Sequence, residues 1–447
     1  MSLPVELSPK SLPQLPANTN TMSVVSSPVN GSVFTQNQPI IVDMITSRGF
    51  LNPATMYFRY KKTVVGGAGG TEIGCPAYNS FISLQTLIDG NVVETINDYN
   101  LYCEDLINVK LNVAQKMGHA NNLGYGSNAQ DFSTPAVSVS VAALNAPTAA
   151  TVTSVGVNGR LLTANDSASL SAPFVCALSQ CESHVPMFLM GSVRFILTVD
   201  SIANMYNDVA PNNNAPTAFS ISNFELCYDL TIFDPAVEAY YKSLAVNGKI
   251  VLKSSSVASS TQPLATGSSG RFSFPFSFRL ASVKSLLLHC SPATGTSSTS
   301  NGKHDSIDIT SSNGSYQFDI AGALYPPREL STIQNKNGII SELCLSLFGN
   351  KNILSCDLGI NPVSWNRTSA AAGSTYDKPS TFYVGVNTEK CVSSSSMLTG
   401  VSTALAPIMA TVNLNAATSQ ATTIRLFAMH DSLIQFDLMT GRVDLLN

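Results

Sequence analysis

A chain of 447 residues exceeds the roughly 250–300 at which single hydrophobic cores stop growing, so two domains or one large double unit is expected. Charged residues make up 12% of it, against about 25% in ordinary soluble proteins, and a surface so poor in charge resembles one made to be covered. The net charge of −4, with no basic cluster longer than Lys61-Lys62, excludes a dominant role in gripping nucleic-acid phosphates, and no apolar run reaches the ~18 residues of a membrane helix.

The first 21 residues carry three prolines by Pro13, no apolar core of a signal peptide and no strand pattern, so they are expected to form an arm. Period-two alternation then dominates. It runs from Ala54 (ATMYFRYKKTVV), Pro135 (PAVSVSVAAL), Gly191 (GSVRFILTVDS) and Phe219 (FSISNFELCYDLTIF). Such spacing puts one face of a strand in a core and leaves the other polar, as in antiparallel sandwiches. Turn pairs Asp89-Gly90 and Asn158-Gly159 punctuate this half. One helix is expected within it: Tyr99, Tyr102, Leu106, Val109 and Val113 recur at three and four, with Asp98 placed to cap.

DPAVEAYYKSLAVNG divides the chain near its middle. Asp234 at the N-cap, Pro235 at the first helical position and Gly248 past the end predict a linker helix over 234–248. Alternation resumes from Lys249 (KIVLKSSSV), Thr381 (TFYVGVNTEK) and Thr422 (TTIRLFAMHDSLIQFDL), with turns at Asn301-Gly302 and Thr440-Gly441. Ile339, Leu343 and Leu347 mark a third helix. Phe272, Phe274, Phe276 and Phe278 occupy every second position, and the residues between them are Ser273, Pro275 and Ser277. A base-stacking platform would interleave cations. The row therefore reads as a buried strand face, and Pro275, which has no N–H to donate, places that strand at an edge or bulge. Polar stretches at 115–131, 203–217, 254–270, 293–314 and 366–379 are expected to be long loops.

The search for chemistry returns no catalytic, cofactor-binding or metal-binding residues. No nucleophile elbow, phosphate loop or HExxH occurs. The glycine run Gly66–Gly70 has a strand before it and no helix after it, which suits a flexible hairpin loop rather than a phosphate cradle. Cys176, Cys181 and His184, even with His289-Cys290, lack the paired ligand spacing of structural zinc. His430, Asp431 and Ser432 are adjacent on a strand, point to alternate faces and cannot form a relay. The nine cysteines, without a secretory signal, are expected to be reduced thiols, and the sequons at Asn30, Asn165, Asn313 and Asn366 to be silent.

Four segments carry a resemblance. AYNSFISLQTLIDGNVVETINDYNLY (Ala77–Tyr102) resembles part of the first barrel of double jelly-roll major capsid proteins, particularly those of polinton-like viruses and virophages. SNFELCYDLTIFDPAVEAYY (Ser222–Tyr241) is similar to their passage between barrels, FSFRLASVKSLLLHC (Phe276–Cys290) to an early strand pair of the second, and Leu398–Asn447 to its closing strands. The resemblance implies an all-β protein of two tandem eight-stranded antiparallel jelly-roll sandwiches with a few short helices: an arm over 1–21, a first jelly roll over 22–233, the linker helix over 234–248 and a second jelly roll over 249–447. It further implies a non-enzymatic major capsid protein of a DNA virus, assembled inside the host cell and located in the virion. Homotrimeric pseudo-hexagonal capsomers would tile an icosahedral shell with neighbouring capsomers, penton and minor capsid proteins, without tight nucleic-acid binding and with an internal membrane left open. The alternative is a β-sandwich spike or adhesin-type binding protein, although no shaft or attachment segment is visible.

Overall fold

The computed structural model describes residues 19–66, 70–111, 115, 119–124, 159–161, 167–208, 216–293, 302–310, 314–332, 336–348, 382–390 and 398–446. The first half contributes eight main strands: β1 (Asn20–Ser26), β2 (Pro39–Met44), β3 (Tyr57–Val65), β4 (Phe81–Ile88), β5 (Asn91–Asn97), β6 (Ser167–Pro173), β7 (Val193–Val199) and β8 (Ala218–Ile232). They pair antiparallel as β1-β8-β3-β6 in one sheet and β2-β7-β4-β5 in the other. The second half repeats the plan with β9 (Lys249–Leu264), β10 (Gly270–Phe276), β11 (Val283–Pro292), β12 (Ser315–Ile320), β13 (Ala323–Ser331), β14 (Val384–Asn387), β15 (Ile408–Leu414) and β16 (Thr422–Asp437). Its sheets are β9-β16-β11-β14 and β10-β15-β12-β13. Counted from the start of each half, both give 1-8-3-6 facing 2-7-4-5, and each is a jelly roll. The hairpin strand β17 (Arg442–Leu446) adds to β16.

Alternation builds these sheets as expected. In β3, Phe58, Tyr60 and Val64 point inward while Tyr57, Arg59 and Lys61 point out. Phe58 meets Phe81 of the facing sheet edge-on at 5.4 Å, and Phe174 meets Phe195 at 4.8 Å. Asp89 and Gly90 both take positive φ and close the β4–β5 hairpin. The phenylalanine row lies inward, with Phe274, Phe276 and Phe278 buried, and its strand β10 is an edge of its sheet. There the Pro275 carbonyl accepts a hydrogen bond from Gln262 Nε2. β16 is central: all sixteen residues pair with β9, and its other side pairs with β11 and β17.

The helices are α1 (Tyr99–Lys110), α2 (Pro235–Ser243) and α3 (Lys336–Phe348), with shorter turns elsewhere. Asp98 precedes α1 but takes φ +50 and makes no cap hydrogen bond, because its carboxylate reaches Arg425 instead. Asp234 does cap α2, accepting from the Ala236 N–H at 2.9 Å. Gly248 does not end that helix. It sits with Asn247 in a positive-φ turn that opens β9, and a Cβ there would meet Met439. Ile339 and Leu343 are buried on α3 as the stripe predicts.

Two readings need correction. Most of the stretch 254–270 is strand, because β9 runs on to Leu264 along β16. Most of the glycine run lies outside the described residues, but the strand after it is not paired with β3 among them: Gly70–Ile73 pairs with Gly159–Leu161 and Tyr206–Asp208, in a small sheet built from three inter-strand connections. Lys62, at an inward position of β3, is fully buried and held by Glu72 at 2.5 Å and Asn79 at 2.9 Å. The strand read at Pro135 and residues Val113, Asn158 and Asn301 lie outside the described residues. Among the described residues no helix is long and apolar enough to cross a membrane.

Candidate assembly surfaces and the seam between the barrels

The residues singled out for chemistry are dispersed. Cys176 and Cys181 are buried in the β6–β7 connection while His184 is exposed. His289 and Cys290 alternate along β11, so the imidazole turns to α1 and the thiol away from it. His430 is buried, and its Nδ1 faces the Asp431 carbonyl at 3.1 Å rather than any carboxylate. Burial holds its pKa below the ordinary imidazole value. The Asp431 carboxylate instead accepts from Ser282 Oγ at 2.6 Å and the Thr399 N–H at 2.7 Å, tying the β10–β11 and β14–β15 connections to β16. Among the described residues no group of three or more His, Cys, Asp or Glu side chains is gathered as a metal site.

The concentrated polar chemistry lies between the barrels. α1 leaves β5 of the first barrel and packs against the outward face of the second barrel's 1-8-3-6 sheet, where Tyr102 meets Phe427 at 5.6 Å. Consecutive acids of α1 take separate bases: Glu104 Oε2 lies 2.6 Å from His304 Nδ1, and both Asp105 oxygens lie 3.0 and 3.2 Å from His289 Nδ1. Asp200, at the end of β7, pairs with Lys303 and also accepts from Asn100 Nδ2 at 2.8 Å. Asp98 reaches Arg425 at 3.4 Å and Glu182 reaches Lys253 at 3.2 Å. Every one of these five ion pairs takes its acid from the first barrel and its base from the second. Glu94 of β5 completes the seam, accepting from Ser256 Oγ of β9, from the Ala177 N–H and from Thr86 Oγ1.

Burial sets the electrostatics. It raises the Asp105 carboxyl above its ordinary value, with His289 pulling the other way. Burial likewise raises Glu94 against its three donors. At Asp200 burial also pushes upward, but the Lys303 ammonium, its hydrogen bond, Asn204 and the Ser201 N–H together hold the carboxyl below the ordinary range. The His289 protons follow from what faces each nitrogen. Nε2 meets the Lys303 carbonyl at 2.9 Å, which only accepts, so Nε2 carries a hydrogen. Nδ1 meets two carboxyl oxygens, so the His289–Asp105 contact itself holds a further proton. Glu104 Oε1 and His304 Nε2 are buried without a hydrogen-bond partner among the described residues.

Sequence reasoning missed this seam. The signal was present: in a chain with so little charge, Glu104-Asp105 stands inside an apolar helix and His289 inside a run of leucines. Local pattern cannot show that the two stretches meet.

The first barrel has the same outward sheet face. Val25 is 49% and Tyr57 41% exposed there. Between this face and the far side of α1 runs a groove of about 760 Å³, lined by Val25, Tyr57, Pro173 and Cys227 from the sheet and by Leu106 and Ile107 from the helix.

No protein-family model matches the chain, and no curated protein matches it with significance. Solved structures do match its fold from end to end. The PBCV-1 virus capsid aligns with TM-score 0.59 at 10% identity, covering 98% of this chain and 99% of that one. The Faustovirus major capsid protein gives 0.59 at 9%, covering 96% and 92%. The mavirus major capsid protein gives 0.52 at 11%, covering 100% and 95%. At such identities the likeness fixes the fold: this chain is a double jelly roll, built as those capsid proteins are.

Proposed function

We propose that the protein is a major capsid protein that self-assembles as homotrimeric, pseudo-hexagonal capsomers of an icosahedral virus shell, and so acts as a virion component rather than an enzyme. The observation that supports this most is the likeness of the tandem fold to viral capsid proteins over 96–100% of this chain. The charge-poor composition agrees, since faces that pack against copies are depleted in charge. In this reading residues 22–233 and 249–447 are the two jelly rolls, 234–248 links them and 1–21 is an arm toward neighbouring capsomers. Penton and minor capsid proteins would fill the vertices and the gaps.

Sedimentation at micromolar concentration tests the claim. A species near three chain masses is expected, and negative-stain images should show pseudo-hexagonal particles. A persistent monomer would overturn the capsomer reading and favour a spike or adhesin-type module.

A further inference from the structure

The inward row of β3 runs Phe58, Tyr60, Lys62 and Val64, and the cation in it is as buried as its neighbours. Lys62 pairs with Ala168 of β6 on one side and Ile221 of β8 on the other, so its backbone is held from both directions. Its Nζ lies 2.5 Å from Glu72 Oε1 and 2.9 Å from Asn79 Oδ1. The same Glu72 Oε1 accepts from Asn79 Nδ2 at 3.3 Å, so one carboxylate oxygen touches both the amine and the amide nitrogen. Ser80 Oγ donates to Asn79 Oδ1 at 3.4 Å, and Nδ2 donates to the Ile73 carbonyl at 2.7 Å. Met205 Sδ stands 3.6 Å from Nζ, with the rings of Tyr206 and Phe219 at 5.2 and 5.6 Å. A buried ion pair contributes little net stability, so packing alone gives no reason for this cation, and an ion pair needs no amide beside it.

We propose that Lys62 and Asn79 join covalently within the folded chain, the Lys62 amine displacing ammonia from the Asn79 side-chain amide to form an isopeptide bond, with Glu72 moving the protons. A carbonyl bond is about 1.2 Å long, which puts Asn79 Cγ within about 4 Å of Nζ, a small step from the roughly 3–3.5 Å of a reactive contact. A lysine amine in an apolar pocket is an able nucleophile once its proton is taken. Glu72 takes one proton from the ammonium, and the freed Nζ lone pair adds to Cγ while the carbonyl electrons move onto Oδ1, where Ser80 donates. Glu72 then passes its proton to Nδ2 and accepts a second from Nζ. The carbonyl re-forms, the Cγ–Nδ2 bond breaks and ammonia leaves. Each chain reacts once on itself, which makes it no enzyme. The bond would tie β3 of one sheet to the turn ahead of β4 in the facing sheet, clipping the small sheet at Gly70–Ile73 into the closed loop.

Mass spectrometry of the full chain tests this. Folded protein, denatured only for the measurement, should weigh one ammonia less than its sequence. Glutamate-specific cleavage should then leave residues 7–72 joined to residues 73–94, although the chain is cut after Glu72 between them. Trypsin should fail to cut after Lys62. Glu72→Gln, which keeps the shape and removes the proton carrier, should carry its full sequence mass, as should Lys62→Met. Wild-type protein at full sequence mass, with the two glutamate fragments separate, would overturn the proposal whether or not either variant folds. Ammonia loss with those fragments still separate would place the reaction elsewhere and overturn it equally. A folded Glu72→Gln chain that still carries the bond would overturn the role of Glu72.

Discussion

The barrel interiors and the seam between the barrels are both buried, yet they are made of opposite materials. Inside the barrels, rings and aliphatic chains interlock: Phe58 alone meets Tyr60, Tyr78, Phe81, Phe174 and Phe224. Across the seam, five ion pairs and a ring contact do the joining. Apolar burial stabilises at about 25 cal/mol per Å² and is indifferent to which apolar partner arrives. A buried ion pair contributes little net, because desolvating each ion costs several kcal/mol, but a wrong partner is heavily penalised. The barrels therefore hold themselves together by their cores, and the seam selects which barrel meets which. Two first barrels brought together this way would set acid against acid.

The largest effect should come from cutting the core. β16 is bonded on both sides, and Ile424, Leu426, Ala428, Ile434 and Phe436 are buried along it. Truncating one such side chain costs about 2–5 kcal/mol, within a domain stability of about 5–15 kcal/mol. Deleting Thr422–Asn447 should leave the second barrel unfolded, with loss of its near-ultraviolet dichroism and of any trimer. Soluble trimers of that deletion would contradict the central place of β16. Removing Met1–Gln14 makes the contrast, and should leave the trimer intact.

Breaking the seam should cost less than losing a strand but more than its net worth suggests. Lys303→Met leaves the Asp200 carboxylate buried against amides alone, a loss of about 3–5 kcal/mol in urea unfolding. Adding Asp200→Asn should restore a good part of it, giving a large coupling in a double-mutant cycle. The exposed pair Arg194–Asp43 should show no comparable coupling. Equal couplings at the two sites would erase the distinction between seam and surface.

A smaller effect concerns pH. Glu94 has its pKa raised by burial, so the native state binds its proton more tightly than the unfolded chain does. Its contribution is therefore fully present below the ordinary carboxylate range and declines as pH rises from that range toward the raised value. Asp105 acts in the same direction and Asp200 in the opposite one. Glu94→Gln should flatten the decline, so that the gap between wild-type and variant stability narrows or reverses as pH climbs from 4 to 8. Parallel curves over that range would show that Glu94 does not titrate differently on folding.

The sequence made the barrels readable and left the seam unread for one physical reason. Alternation is local: Phe272 to Phe278, or Ile424 to Ala428, declares a buried face without reference to anything distant. Pro275 even identified an edge strand, because a missing N–H is a property of one residue. Lys62 broke the pattern, since its inward position depends on Glu72 and Asn79, which only folding brings to it. The seam depends on contacts between positions such as 105 and 289, separated by 184 residues, and no periodicity records them. Asp98 illustrates the same limit: local rules made it a cap, and a distant arginine took it.

The finest comparison uses thiols as reporters, with no change in stability expected from the labelling measurement itself. Seven described cysteines are buried and unbridged. Cys181 sits at the seam, its thiol donating to the Lys253 carbonyl at 3.4 Å, and burial pushes its pKa up to about 11. Cys176 nearby is pushed up to about 12, while Cys290 lies in the second barrel's core with its pKa raised by burial as well. The thiolate is the reactive form, so at pH 8 a thiol with pKa near 11 reacts roughly 200-fold more slowly than a free one near 8.5, even before access is considered. Native protein should thus label slowly, and unreduced protein in denaturant should release nearly all nine thiols without added chelator. Opening the seam with Lys303→Met should then accelerate Cys181 while leaving Cys290 slow, because local opening exposes the first without unfolding the barrel around the second. If both accelerate together, seam and core melt as one unit, and the division between what holds each barrel and what joins them does not survive.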